Sequence, residues 1–267
     1  SPYQSFRLKL SKNFRPSPAM ELNKKQPNII FGRHPVVDAL KSGTPVDKLF
    51  LQQGTRGEFE KEIRHLSRYF NVPLQVIPKE RMNKWTRKNH QGIIGLLSLL
   101  PYYRIEDVLP LIYEKSQIPL LLILDGVTDV RNFGAIIRTA ECTGVDGIII
   151  QKKGAAPVTA DTIKTSAGAA FKVPIAKVDH IKDAVFYLQA SGIQVVAASE
   201  KTKNTIYDVS FETSTAIVMG SEDRGISPSI LKAADKTAKL PLLGEIESLN
   251  VSVACAVFLY EAVRQRL

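Results

Sequence analysis

Three stretches in the second half of the chain hold the side chains best able to do chemistry. The first runs Leu124-Asp-Gly-Val-Thr-Asp-Val-Arg-Asn-Phe-Gly-Ala-Ile-Ile-Arg138 and on to Gly144. Asn132 is placed to cap a helix whose buried stripe would be Phe133, Ile136, Ile137 and Ala140. Gly134 and Arg138 are four apart and so share a face. A glycine one turn before an arginine leaves room beneath the guanidinium for a phosphate or a ribose; the competing reading of Arg138 is a surface or ion-paired arginine. The second stretch is Ile217-Val-Met-Gly-Ser-Glu-Asp-Arg-Gly-Ile-Ser227. Here an apolar strand ends in Gly220-Ser-Glu222, and Gly225 is set for a tight turn. Ligands of open α/β sheets bind at the carboxyl ends of strands, and Gly220 lets a flat ring approach the backbone. An ordinary strand-to-helix turn competes with that reading. The third stretch, Leu240 to Arg264, begins as a short apolar strand through Leu242 and passes through a polar loop. It then enters a helix of small residues whose first turn is Ser248-Leu249-Asn250. Ser248 is the expected N-cap, and the helix start offers unpaired N–H groups to a ligand.

These stretches need a scaffold, and the apolar pattern supplies one. Strands are predicted at 120–124, 147–150, 173–176, 194–198, 216–219 and 239–242, with helices between most of them. Strand–helix alternation at this spacing implies a mainly parallel sheet covered on both faces. Ahead of it lies a smaller α/β series over 29–100. Helices are predicted over 35–41, 58–70 and 79–88, and strands over 49–51, 74–77 and 93–100. Residues 101–118 read as a linker that becomes the first helix of the second domain, 119–267. Residues 1–28, polar and basic with no signal-peptide core, read as a flexible arm. No G-x-G-x-x-G, P-loop, H-E-x-x-H or G-x-S-x-G signature is present, and four scattered histidines make a metal site an unpromising expectation.

Charge identifies the partner class. The chain of 267 residues carries a net charge of +10. Residues 1–28 contribute +5, 29–100 contribute +6, and 101–267 contribute −1. Such asymmetry points to a polyanion, most simply a nucleic acid. A cationic membrane-surface domain is the rival, opposed by the lack of a basic helix with a strong apolar face. No apolar run is long enough to cross a bilayer. Within the basic domain, Arg81, Lys84 and Lys88 would share one helical face, with Trp85 and Arg87 beside it. That combination suits phosphate contact with base stacking; a solvated charged helix is the alternative. Cys142 and Cys255 are too few for a disulfide framework and read as small core residues of an intracellular, cytoplasmic protein.

Taken jointly, N-x-G-x-x-x-R-T-A at Asn132, V-M-G-S-E-x-x-G-I-S at Val218 and L-P-L…S-L-N-V-S-V-A from Leu240 resemble the signatures of the SPOUT methyltransferases. The match is to the SpoU or TrmH branch, which methylates ribose 2′-hydroxyls in RNA. The resemblance spans about residues 120–267 and implies an α/β domain with a deep trefoil knot, S-adenosylmethionine as cofactor and a homodimer. Carried over by position, it implies a catalytic group of Asn132, Arg138, Glu222, Ser248 and Asn250. It also implies a cofactor resting on backbone around Met219, Gly220, Leu240, Leu242 and Leu249. Ile30-Phe-Gly-Arg33-His34-Pro and His90-Gln-Gly-Ile resemble the substrate-binding domain of rRNA-directed members, a small ribosomal-protein-like RNA-binding fold. Arg33 and His34 join the expected RNA-binding set on that ground. The implied activity is methyl transfer to a ribose 2′-hydroxyl, with guanosine in 23S rRNA as first expectation. A tRNA ribose methyltransferase and an inactive RNA-binding assembly protein are the alternatives.

Overall fold

The computed structural model describes residues 28–267, and the basic arm expected over 1–28 falls, but for Asn28, outside the described residues. The described chain forms two compact units, residues 28–101 with 157–160, and 102–156 with 161–267.

The first unit is a four-stranded mixed sheet with three helices. Strands β1 (Ile29–Phe31), β2 (Val46–Gln52), β3 (Leu74–Ile77) and β4 (Ile93–Leu97) lie in the order β1-β4-β2-β3. β2 and β3 are parallel, while β4 runs antiparallel to both β1 and β2. Helices α1 (Arg33–Lys41) and α2 (Glu58–Tyr69) cover one face. Val36, Leu40, Leu49, Leu51, Ile63, Leu66 and Ile93 form that core. On the other face Phe50, Ile77, Met82, Ile94 and Leu96 cluster, with Trp85 packed against them. The basic helix expected over 79–88 is only α3, Lys79–Met82. Met82 turns into the core, fully buried, and the chain leaves the helix in turns from Asn83. Arg81, Lys84 and Lys88 therefore do not form a helical face. The strand expected through Leu100 stops at Leu97, and β1 was not anticipated.

The second unit is a six-stranded sheet in the order β10-β8-β9-β5-β6-β7, with every pairing parallel. Its strands are β5 (Leu120–Asp125), β6 (Gly147–Gln151), β7 (Ile175–Val178), β8 (Gln194–Ala198), β9 (Thr215–Gly220) and β10 (Lys236–Ala238). All six residues of β5, Leu-Leu-Leu-Ile-Leu-Asp, are buried, as a central parallel strand covered on both faces requires. Helices α4 (Ile105–Lys115), α5 (Val130–Cys142), α6 (Ala160–Thr165), α7 (Ile181–Ala190), α8 (Pro228–Ala233) and α9 (Val251–Arg266) complete the unit. The last strand lies three residues ahead of the expected 239–242. Lys239 beyond it makes only an isolated bridge to Thr205, and Pro241 supplies no ladder donor.

Helix α9 is tied down at its far end. The Arg266 guanidinium donates to the carbonyls of Phe211 at 2.7 Å, Ile118 at 2.9 Å, Thr213 at 2.8 Å and Pro119 at 3.5 Å. Those carbonyls lie at or just before the starts of β5 and β9, so one side chain fastens the helix to two central strands. Cys255 is buried in α9, and burial pushes its thiol up to about 12. Cys142, expected in the core, is exposed. Among the described residues, no helix is long and apolar enough to cross a membrane.

Candidate functional site

The three chemical stretches converge at the carboxyl ends of β5 and β9. Asp129 caps α5, its Oδ1 accepting from the Asn132 N–H at 2.8 Å. Asn132 is therefore the third residue of the helix and not its cap, and its side chain is available for other bonds. Asn250, not Ser248, caps α9, its Oδ1 accepting from the backbone N–H of Ser252 at 3.0 Å and of Val253 at 3.4 Å. This leaves both Nδ2 protons of Asn250 to donate, one to Asn132 Oδ1 at 3.1 Å and one to Glu222 Oε1 at 2.6 Å. The Val251 N–H also donates to Glu222 Oε1 at 3.3 Å. A carboxylate at a helix N-terminus is favoured by the helix dipole and the orphan N–H groups. One residue from each stretch thus meets in a single cluster.

Beside this cluster opens a cavity of 480 Å³, within the range of small-molecule sites. Met219, Gly220, Glu222, Leu240, Ser248, Leu249 and Asn250 line it. Leu242 does not. Ala198 to Lys201 also line it, although nothing in their residue types pointed there. Gly220 is required by a close crossing. A Cβ there would lie 2.2 Å from the Gly225 carbonyl carbon and 2.4 Å from the Ile226 nitrogen. The loop after β9 therefore folds back directly onto the strand end. Asp125 fixes that loop. It is 7% exposed, and its Oδ2 accepts from the Ser227 N–H at 2.7 Å. Sequence reasoning missed Asp125; a carboxylate closing the wholly apolar run Leu120–Leu124 was the available signal.

Arg138 is exposed on α5 and makes no hydrogen bond or ion pair with another described residue. The space over Gly134 is not open as expected. A Cβ there would lie 2.7 Å from Thr165 Cβ and 3.1 Å from the Thr162 carbonyl oxygen, so this glycine lets α6 pack closely on α5. Phe133, Ile136, Ile137 and Ala140 are the buried stripe of α5, as their spacing required.

In the first unit, a cleft of 920 Å³ is lined by Arg33, Arg87 and Lys88 of the expected RNA-binding set, together with Arg56 and Lys79. His34, Arg81, Lys84 and Trp85 are not in its wall. Trp85 instead stacks on Phe50, with ring centroids 5.2 Å apart, and serves the core. His90, 5% exposed, sits at the cleft floor. Its Nδ1 accepts from the Gly92 N–H at 3.1 Å, and its Nε2 pairs with Asn83 Oδ1 at 3.2 Å. Burial, and then the nearby Lys79 charge, hold its pKa below the usual histidine range.

A parallel sheet with a ligand cavity at its strand ends is joined in this chain by a unit with a cationic cleft. Comparison with known proteins supplies the class. Residues 119–260 match the SpoU rRNA Methylase family, and residues 29–103 match the family of RNA 2′-O ribose methyltransferase substrate-binding domains. The chain is 33% identical over 238 residues to a Staphylococcus aureus protein assigned to the TrmH family of tRNA/rRNA methyltransferases. That alignment covers 89% of this chain and 96% of the relative. A Bacillus subtilis protein assigned to the same family is 29% identical, over 91% of this chain and 97% of that one. An rRNA methyltransferase structure from Sinorhizobium meliloti superposes with a TM-score of 0.58 at 24% identity, covering 100% of this chain and 95% of that chain. The protein belongs to the SpoU, or TrmH, family of RNA methyltransferases.

Proposed function

We propose that the chain transfers methyl from S-adenosylmethionine to a ribose 2′-hydroxyl of RNA, with guanosine in 23S rRNA as the substrate. The observation that carries this reading is the Asn132–Asn250–Glu222 cluster at the mouth of the 480 Å³ cavity. The cavity suits the cofactor. Backbone from the ends of β8, β9 and β10 can meet an adenine edge, Leu240 and Leu249 can cover its ring, and Gly220 admits close approach. When bound, S-adenosylmethionine supplies an electrophilic methyl group on a sulfonium sulfur.

The chain must bring the 2′-oxygen into line behind that methyl carbon and see its proton removed. No histidine lies in the three stretches. A guanidinium is a hydrogen-bond donor and not a base, so the role of Arg138 is to bind the adjacent phosphate and orient the hydroxyl. A phosphate oxygen or water takes the proton. Asn132, Ser248 and Asn250 position the ribose, and Glu222 fixes the Asn250 amide. In this reading residues 29–100 present the RNA, 101–118 link the domains, and 119–267 hold the cofactor within a deep trefoil knot.

The protein works as a homodimer, and α9 supports this. The helix buries Val251, Cys255, Phe258, Leu259 and Ala262, yet leaves Val253, Val257 and Tyr260 exposed. A helix apolar on both sides calls for a second covering surface. Incubation with methyl-labelled S-adenosylmethionine and unmodified rRNA or tRNA tests the whole reading. Label in rRNA is the expected outcome. Label only in tRNA would move the substrate, and none in either would mark an RNA-binding protein without catalysis.

A further inference from the structure

The 920 Å³ cleft of the first unit has a wall sorted by chemistry. Arg33, Arg56, Lys79, Arg87 and Lys88 line it, and no carboxylate does. Arg33 is pinned over the Phe59 ring, 4.5 Å from its centroid. Among the described residues, no carboxylate pairs with Arg56, Arg87 or Lys88. The side-chain amides of the cleft fall into two groups. Asn83, Asn89 and Gln91 are committed to building the floor: Asn83 holds His90, Asn89 Oδ1 accepts from the Gln91 N–H at 3.2 Å, and Gln91 Oε1 accepts from the Arg33 N–H at 2.9 Å. Gln52 and Gln53, at and just past the end of β2, make no side-chain hydrogen bond with a described residue. A prepared floor with two unengaged carboxamides and a ring of cations is a site for an anionic ligand that also carries hydrogen-bonding edges.

We propose that this cleft binds a short unpaired stretch of RNA, its phosphates on Arg56, Arg87 and Lys88 and its base edges on Gln52 and Gln53. The inference rests on the RNA methyltransferase reading and deepens it, by naming which part of the substrate the first unit recognises. In A-form duplex the Watson–Crick edges are paired and the major-groove edges lie in a groove too deep and narrow for side chains, whereas splayed single strands expose both. Carboxamides pair with base edges through two hydrogen bonds. His90 is the aromatic ring in the wall, held at the floor by its bonds to Asn83 and Gly92, and Trp85 is committed to Phe50. The two carboxamides give binding that discriminates between bases.

The test is fluorescence anisotropy of the full chain with labelled single-stranded homopolymers of each base and with a mixed-sequence RNA, single-stranded and as a duplex. Single strands bind more tightly than the duplex, and the four homopolymers differ. Arg87→Ala with Lys88→Ala weakens every single strand about tenfold and lowers the salt slope by about 1.4. Gln52→Ala with Gln53→Ala leaves the salt slope unchanged and levels the homopolymers. Equal or tighter duplex binding, an indifferent cationic variant, or base preferences surviving the glutamine variant would each overturn the proposal. Methyl transfer to rRNA by the unaltered protein is measured alongside. Transfer that persists while the cleft variants bind normally removes the cleft proposal alone. Its absence from rRNA removes the rRNA substrate, and absence from tRNA as well removes the methyltransferase reading, whatever the binding shows.

Discussion

Arg138 and Asp125 separate two jobs that a loss of activity alone would merge. Arg138 has no described partner to lose, so Arg138→Ala should leave the fold and the cofactor cavity intact. Methyl transfer should fall by at least about 10²-fold, the scale of losing one charge-stabilising group, while cofactor affinity measured by calorimetry stays within about threefold. A collapse of that affinity would place Arg138 on the wrong side of the reaction. Asp125 holds the loop after β9 through Ser227. Asp125→Ala should therefore cost about 1.5–3 kcal/mol of stability, typical for a hydrogen bond to a charged group, and raise the cofactor dissociation constant. Asp125→Asn, which keeps an accepting oxygen, should recover part of both. His90 makes a third prediction. Its folded pKa lies below the unfolded value of about 6.5, so its contribution to stability is full above that pH. It is lost as pH falls and protonation removes the Nδ1 acceptor for Gly92. Thermal melts of the protein should fall as pH drops below about 6.5, and the fall should shrink in His90→Asn.

At the level of elements, the tightest constraint is the loop that recrosses β9 at Gly220. Gly220→Ala must displace Gly225 and Ile226 and should cost roughly 1–3 kcal/mol, the usual scale of overpacking. Cofactor binding should be lost with it, since the same loop lines the cavity; a variant that binds the cofactor normally would contradict the geometry. Much of this architecture was legible because apolar spacing reports burial: β5, β8 and the stripe of α5 lie where the pattern placed them. What could not be read were choices between chemically equivalent residues. Asp129 and Asn132 are both good helix caps, as are Ser248 and Asn250, and only the three-dimensional meeting of α5 with α9 decides between them. The supposed basic helix over 79–88 failed for a related reason. Its charges suit a helix, but the chain continues only in turns after Met82, and Met82 and Trp85 pack with Phe50. Segments with no chemical signature of their own, such as Ala198 to Lys201, enter the cavity by topology alone.

For the whole molecule, charge and apolar surface divide the work. The excess of positive charge lies within the first hundred residues, and α9 carries an exposed apolar stripe. Replacing Val253 and Val257 together by lysine should convert a dimer to a monomer in sedimentation, leaving the melting temperature of the core nearly unchanged because both side chains are half-exposed. A monomeric unaltered protein would remove the dimer from the reading. The clamp made by Arg266 bears on how the molecule comes into being. The guanidinium joins carbonyls as far as 148 positions away in the chain, so β5 and β9 stay unfastened at one end until residue 266 has left the ribosome. The first unit can finish folding while translation continues. The second must wait, and a nascent chain paused shortly before that arginine would display an incomplete sheet to chaperones and proteases.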